Sequence, residues 1–169
     1  MLADRKYLRR LIWDALMAAL CFILRLLLAP LPNVQPVTVL LIFVCWYLSA
    51  KDSILIASLT IVISNLFLGF GPWTLAQITA YCILILISKL FAPFLKREGY
   101  LIQAFYMIAI GFLYGLIISL IQAPFYGIQH FWVYYFNGVL FDAYHGIGNL
   151  IFFLLLQPII PPLIQKYRF

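Results

Sequence analysis

Long apolar segments separated by short breaks are the feature that most limits what this chain can fold into. Six segments approach the roughly 20 residues that an α-helix needs to cross the hydrocarbon core of a bilayer. They cover residues 8–29, 36–50, 53–69, 73–94, 101–122 and 137–160. Because 66% of the 169 residues are hydrophobic and 9% are charged, a soluble domain could not bury the apolar surface. We predict an all-α integral membrane protein, with one six-helix domain over residues 1–169.

Lysine and arginine are concentrated at alternate breaks between these segments. The first, third and fifth connections contain none. Cytoplasmic loops carry an excess of these residues, so the pattern predicts both termini in the cytoplasm. The net charge of +6 then belongs to a rim that faces lipid headgroups, and no motif indicates binding to nucleic acid. The basic residues of this rim are Arg5, Lys6, Arg9, Arg10, Lys51, Lys96, Arg97, Lys166 and Arg168.

Strongly polar side chains collect in the outer half of the predicted bundle. A charge near the middle of a membrane costs about 2.5–3.5 kcal/mol on insertion scales and usually faces the bundle interior or a wet cavity. This layer predicts a ligand site, in which Arg25 and Asp142 either pair with each other or share a ligand. A stabilising Arg–Asp pair without a ligand is the alternative. The layer contains Arg25, Asn65, Gln77, Tyr81, Asp142, His145 and Asn149, of which the last three share one helix face at i, i+3 and i+7.

Connecting segments add further candidates for this site. Asn33 and Gln35 lie in "LPNVQP", which its prolines hold extended, and Trp73 and Gln77 are four residues apart in "FGPWTLAQ". The aromatic residues near the outer surface predict either a lid that stacks on a ring-containing solute or an interfacial belt. They are Trp73, Phe125, Tyr126, Trp132, Tyr134 and Tyr135.

Small residues four apart allow two membrane helices to approach closely. The first segment has Ala15 and Ala19, with Ala18 beside them, near its cytoplasmic end. The fifth segment has Gly111 and Gly115. Either pair could serve internal packing or an interface with a partner.

Motifs for enzyme chemistry are missing from the sequence. It contains no phosphate-binding loop, no HExxH and no G-x-S-x-G. His145 and Asn149 form an H-x-x-x-N pair, which some intramembrane proteases use, but the one glutamate, Glu98, lies in a predicted cytoplasmic loop. The three cysteines lie inside apolar segments without a C-x-x-C pattern, so we predict no metal site, no cofactor and no enzyme activity.

Four strings together resemble one family of membrane proteins: "DALMAAL", "LPNVQPVT", "SNLFLGFGPWTLAQ" and "FDAYHGIGN". Over nearly its full length the chain resembles the S components, or substrate-binding subunits, of energy-coupling factor (ECF) vitamin transporters. The resemblance implies a multi-pass protein of a prokaryotic cell membrane that captures a vitamin from outside. It further implies docking on a membrane-embedded coupling subunit through the face of Ala15 and Ala19, with ATP hydrolysed by two cytoplasmic subunits.

The resemblance is strongest to the members assigned to cobalamin or its precursors, with pantothenate and hydroxymethylpyrimidine or pyridoxine members as rivals. The carboxamides of a corrinoid would meet the amides of Asn33, Gln35 and Gln77. A small carboxylate such as pantothenate would use Arg25 as its anchor. A structural or assembly subunit and an intramembrane hydrolase remain as alternatives from other classes.

Overall fold

The structure is a computed structural model that describes the backbone of residues 2–166 and the side chains of residues 5–166. This part of the chain forms helices joined by short connections and contains no β-strand. Arg168, which belongs to the predicted basic rim, lies outside the described residues. The helices of the described range are α1 (Leu2–Leu27), α2 (Val37–Tyr47), α3 (Ala50–Leu68), α4 (Pro72–Leu95), α5 (Tyr100–Phe125), α6 (Phe131–Leu156) and α7 (Ile160–Lys166).

Four of these helices are long and apolar enough to cross a membrane, namely α3, α4, α5 and α6. The chain is therefore a multi-pass membrane protein built from helices. α1 has 26 residues but carries charged residues along its length, up to Arg25 in its last turn. Six membrane crossings and cytoplasmic termini remain predictions from the sequence.

α2 is too short to span a bilayer by itself. Its 11 residues rise about 16 Å at 1.5 Å per residue. Every residue from Val37 to Trp46 is buried, as expected for a helix that is apolar on all sides and lies among other helices. The predicted segment 36–50 was therefore too long. A segment this apolar can be surrounded either by lipid or by protein, and its hydropathy does not distinguish the two environments.

The connection before α6 is much shorter than the sequence predicts. α5 continues to Phe125 and α6 begins at Phe131, so only residues 126–130 connect them. Gly127 has a φ of +63°, a backbone conformation that glycine adopts without strain. The aromatic residues that follow form the first turns of α6. The rings of Phe131 and Tyr135 stack in parallel there, with their centres 6.2 Å apart.

Contacts between helix ends show that α1 to α4 alternate in direction. Arg10 of α1 donates to both carboxylate oxygens of Asp52, at 2.8 and 2.6 Å, and also to Ser49, the residue that caps α3. Lys96, just after α4, donates to the carbonyl of Trp46 near the end of α2. We call this end of the bundle, defined by Arg10 and Lys96, the basic end.

The opposite end of the bundle joins the end of α1, the end of α3 and the beginning of α4. Arg25 of α1 donates to Asn65 of α3 over 3.0 Å, and Asn65 donates to Gln77 of α4 over 2.9 Å. We call this the polar end, defined by Arg25, Asn65 and Gln77. The two ends correspond to the basic rim and the polar layer of the sequence analysis.

Glycines bring α5 and α6 into direct backbone contact. A Cβ atom added at Gly111 would lie 2.6 Å from the Cα of Gly146, which is too close for any side chain. A Cβ atom added at Gly115 would overlap the carboxylate of Asp142. The Gly111–Gly115 pair therefore serves internal packing. It is not an interface with a partner, which was the other role that the sequence left open.

We predict that Gly111→Ala lowers the stability of the protein by about 1–3 kcal/mol, the usual cost of overpacking a tight contact. The added methyl group meets the backbone of α6, which cannot rotate away as a side chain can. Thermal unfolding in detergent measures the effect. Gly138→Ala on α6 is the matched control, because nothing lies within 4 Å of its added Cβ, and it should leave stability unchanged or slightly raised. Equal unfolding temperatures for the two variants would contradict the tight contact.

Candidate functional site

A cavity of about 50 Å³ lies at the polar end of the bundle. Its walls come from α1, α3, α4, α5, α6 and the connection between α1 and α2. Asn33 is exposed and marks the side that opens to solvent, whereas Arg25 and His145 are buried. The lining residues are Arg25, Asn33, Gln35, Ile61, Gln77, Tyr81, Tyr114 and His145. Six of the ten predicted site residues thus surround one cavity, although they are spread over 120 residues of sequence.

Arg25 is held in the wall of the cavity by neutral groups. It is 7% exposed, and its guanidinium donates to Ser64 Oγ, to Asn65 Oδ1 over 3.0 Å and to Gln77 Oε1 over 3.5 Å. Asn65 donates in turn to Gln77 Oε1 and to Thr74 Oγ1, both over 2.9 Å. These bonds fix the guanidinium in one orientation and leave its positive charge uncompensated.

Of the two arrangements predicted for Arg25 and Asp142, a pair or a shared ligand, the direct ion pair does not form. Within the described part of the chain, no carboxylate lies within ion-pair distance of Arg25. Asp142 is 6% exposed, packs against Gly115, and is not among the residues that line the cavity. A buried cation without a counterion is unfavourable in a membrane, so the wall at Arg25 is suited to an anionic group.

Another part of the cavity wall, formed by Tyr81 of α4 and His145 of α6, is hydrogen-bonded to Thr38 of α2. His145 Nε2 lies 2.8 Å from Thr38 Oγ1, and Thr38 Oγ1 lies 3.3 Å from the hydroxyl of Tyr81. The ring of Tyr114 packs 5.0 Å from both the His145 ring and the Tyr81 ring. His145 Nδ1 is buried and has no hydrogen-bond partner among the described residues. This wall therefore combines aromatic surface with polar atoms that can meet a ligand.

Four predicted site residues do not line the cavity. Asn65 lies behind Arg25 and orients it, and Asp142 faces α5. Asn149 is fully buried deeper in the bundle, where its amide donates to the carbonyl of Met107 over 3.2 Å. Trp73 is 38% exposed and donates back to the carbonyl of Gly69, so it packs on its own turn.

The structure gives no support to the aromatic lid or to the hydrolase. None of the predicted lid residues lines the cavity, and Phe125, Tyr126 and Trp132 are all more than half exposed. His145 bonds Thr38 whereas Asn149 bonds the backbone of α5, so the two side chains of the H-x-x-x-N pair have separate partners.

Sequence reasoning missed several residues that build the site. Ser64 and Thr74 complete the Arg25 network, Thr38 binds His145, and Tyr114 packs on it. Thr38 is the one polar residue in the run from Val37 to Cys45, which was a usable signal. No sequence signal pointed to Tyr114, because a tyrosine in an apolar helix usually packs without a ligand.

The three alanines predicted at the coupling interface do not share one environment. Ala15 and Ala19 are exposed on α1, while Ala18 is 3% exposed and belongs to the core against neighbouring helices. Large apolar residues flank the two exposed alanines, including Leu16 at 63% and Ile23 at 50% exposure. α1 thus presents a smooth apolar face that no other helix of the described chain covers.

A family model for the ECF transporter substrate-specific component matches residues 9–157. The chain belongs to this family. Its members are the substrate-binding subunits of ECF importers, without an ATPase activity of their own. They work with a membrane-embedded coupling subunit and ATPase subunits. No curated protein and no solved structure gives a significant match to the chain.

We predict that Thr38→Val destabilises the protein by about 1–3 kcal/mol, because it leaves His145 Nε2 buried without its partner. Thr38→Ser keeps the hydroxyl and should recover most of the loss. Thermal unfolding of the purified protein compares the two variants. If valine and serine have the same effect, the hydrogen bond contributes nothing and only the packing of the side chain at position 38 matters.

Proposed function

We propose that the cavity at the polar end is the substrate site of this S component and that the substrate is a small vitamin or precursor with an anionic group. The observation that carries the proposal is Arg25, a buried cation in the cavity wall whose hydrogen-bond acceptors among the described residues are all neutral. A ligand carboxylate would supply the missing charge and form charge-assisted hydrogen bonds with the guanidinium. Pantothenate represents this chemistry among the candidate vitamins.

The size of the cavity favours a small ligand over a corrinoid. Its volume of about 50 Å³ is enough for a few water molecules. Sites for drug-sized ligands usually measure about 300–1,000 Å³, so even a small vitamin requires some opening and a corrinoid requires far more. Cobalamin, to which the sequence resemblance is strongest, is therefore not the substrate that we propose.

The connection between α1 and α2 is the element that we expect to move when substrate enters. Asn33 and Gln35 line the cavity from this connection, and Asn33 has a φ of +57°, which is uncommon outside glycine. The Asn33 amide donates to the carbonyl of Phe141 over 3.2 Å at an exposed position. Opening this contact would widen the cavity without separating any packed helices.

The rest of the lining fits the remainder of such a ligand. The amides of Asn33, Gln35 and Gln77 can bind hydroxyl or amide groups. The rings of Tyr81 and Tyr114 supply apolar surface. Pyridoxine and hydroxymethylpyrimidine carry no carboxylate and would leave the charge of Arg25 unpaired, so they fit the wall less well.

For transport, we propose that the substrate enters from outside the cell and that the exposed face of α1 docks on the coupling subunit. Ala15 and Ala19 let a partner helix approach closely, and the larger apolar residues around them widen the contact. Two cytoplasmic ATPase subunits then drive release inside. The substrate site and this face lie at different depths of the bundle, so their functions can be separated by substitution.

We predict that pantothenate binds more tightly than pyridoxine, hydroxymethylpyrimidine or cobalamin, and that Arg25→Met weakens pantothenate binding by about 10–100-fold. Removal of the guanidinium takes away charged hydrogen bonds to the ligand. Calorimetric titration of the purified protein measures both effects, with Arg25→Lys as the variant that keeps the charge. Arg97→Gln, at the basic end, is the control for a general effect of charge. Tight binding of cobalamin or pyridoxine that is unchanged in Arg25→Met would overturn the substrate assignment.

We predict that Ala15→Trp and Ala19→Trp each abolish uptake in cells that contain the complete importer while leaving substrate binding intact. An indole at either position blocks close approach of a partner helix but meets nothing inside the protein, because both alanines are exposed. Leu90→Trp on the exposed side of α4 is the matched control and should transport normally. Loss of substrate binding in the alanine variants would show that this face supports the fold instead.

A further inference from the structure

A second and larger cavity lies at the basic end, away from the proposed vitamin site. Its volume is about 420 Å³, and it lies between the end of α2, the second half of α4 and α7. It is lined by Trp46, Tyr47, Leu48, Lys89, Lys96 and Gln165. The two ionisable side chains that could carry a charge at neutral pH are both cationic, and no carboxylate is in the lining.

Lys96 is fixed at the wall of this cavity by uncharged partners. Its Nζ donates to the carbonyl of Trp46 over 2.9 Å and lies 5.5 Å from the centre of the Tyr47 ring. An ammonium group has three donors, so this arrangement leaves donors for a further acceptor. The partners hold the ammonium in place but do not neutralise it.

Lys89 lies seven residues before Lys96, on the same side of α4. Within the described part of the chain it forms no hydrogen bond and no ion pair. It is placed about 9 Å before the end of α4, inside an otherwise apolar helix, where a lysine is costly unless its charged group reaches a polar partner. Two lysines with uncompensated charge therefore converge on one cavity, and the amide of Gln165 adds a third donor.

We propose that this cavity binds a phosphate group, carried either by an anionic phospholipid or by a soluble phosphate. Lysine ammonium groups act as point charges toward phosphate. Tyr47, which is partly exposed, is a residue type that lies at the headgroup level of membranes, and basic cavities between helices on the cytoplasmic side suit anionic headgroups. Both lysines are exposed, so a headgroup or a solute can enter from the rim. The site is independent of the vitamin site.

The experiment compares Lys89→Gln with Arg97→Gln in the full chain. Arg97 follows Lys96 directly and has the same charge but does not line the cavity, so it reports general attraction of the rim for anions. Each protein is reconstituted in nanodiscs of phosphatidylcholine with a minor fraction of phosphatidylglycerol, and native mass spectrometry measures the retained phosphatidylglycerol. We expect about fivefold lower retention for Lys89→Gln than for wild type, little change for Arg97→Gln, and recovery in Lys89→Arg.

A second arm distinguishes the two sources of phosphate. Wild type, Lys89→Gln and Arg97→Gln in pure phosphatidylcholine are titrated with inorganic phosphate, and the fluorescence of Trp46 is followed against a Trp46→Phe reference. A lysine-dependent phosphate response without lipid retention assigns a soluble ligand, and retention without that response assigns a lipid. If Lys89→Gln matches wild type in both arms, or if Arg97→Gln loses as much as Lys89→Gln, the proposal is overturned. Vitamin binding by the same variants reports separately on the proposed function.

Discussion

The hydrogen-bonded group around Arg25 is the interaction on which the polar end depends. In a membrane a guanidinium must be surrounded by acceptors, and here Ser64, Asn65 and Gln77 supply them from two other helices. The same bonds tie α1 to α3 and α4 at the level of the cavity. They hold the positive charge at the cavity wall and hold the three helices together there. The same hydrogen bonds therefore build both the site and this part of the fold.

The hydrogen-bonded groups around Arg10 and Arg25 differ in how the charge of the arginine is matched. Arg10 at the basic end meets both carboxylate oxygens of Asp52 and also Ser49, so its charge and its donors are matched within the protein. Arg25 is buried, whereas the side chain of Arg10 is partly exposed, yet Arg25 has no carboxylate partner in the described chain. An acid was available at the same depth in Asp142, but it faces α5. This contrast supports the proposal that an anionic ligand matches the charge of Arg25.

The sequence predicts a helical chain with its polar residues toward one end and its basic residues toward the other, because apolar run length and charge position depend on local composition alone. The sequence does not predict toward which neighbouring helix a given side chain points. Counting residues placed Arg25 and Asp142 at one level, but not that Asp142 faces Gly115 rather than the cavity. Hydropathy likewise overestimated the length of α2, which is enclosed by protein. The aromatic residues from Phe131 onward were assigned to a loop, although they form the first turns of α6. Thr38 was not predicted as a site residue, because one hydroxyl hardly changes the hydropathy of an apolar segment.

Close packing between α5 and α6 restricts how the cavity can open. Gly111 allows the backbones of the two helices to touch at Gly146, and this approach sets the His145 ring 5.0 Å from Tyr114. Separation of α5 from α6 would break that contact and expose the wall that binds Thr38. The connection between α1 and α2 meets α6 at two points: Val34 packs on Gly148, and the exposed Asn33 donates one amide hydrogen bond to Phe141. The proposed entry of substrate through this connection would leave α5 and α6 in contact, and it would leave the exposed face of α1 unchanged for a partner.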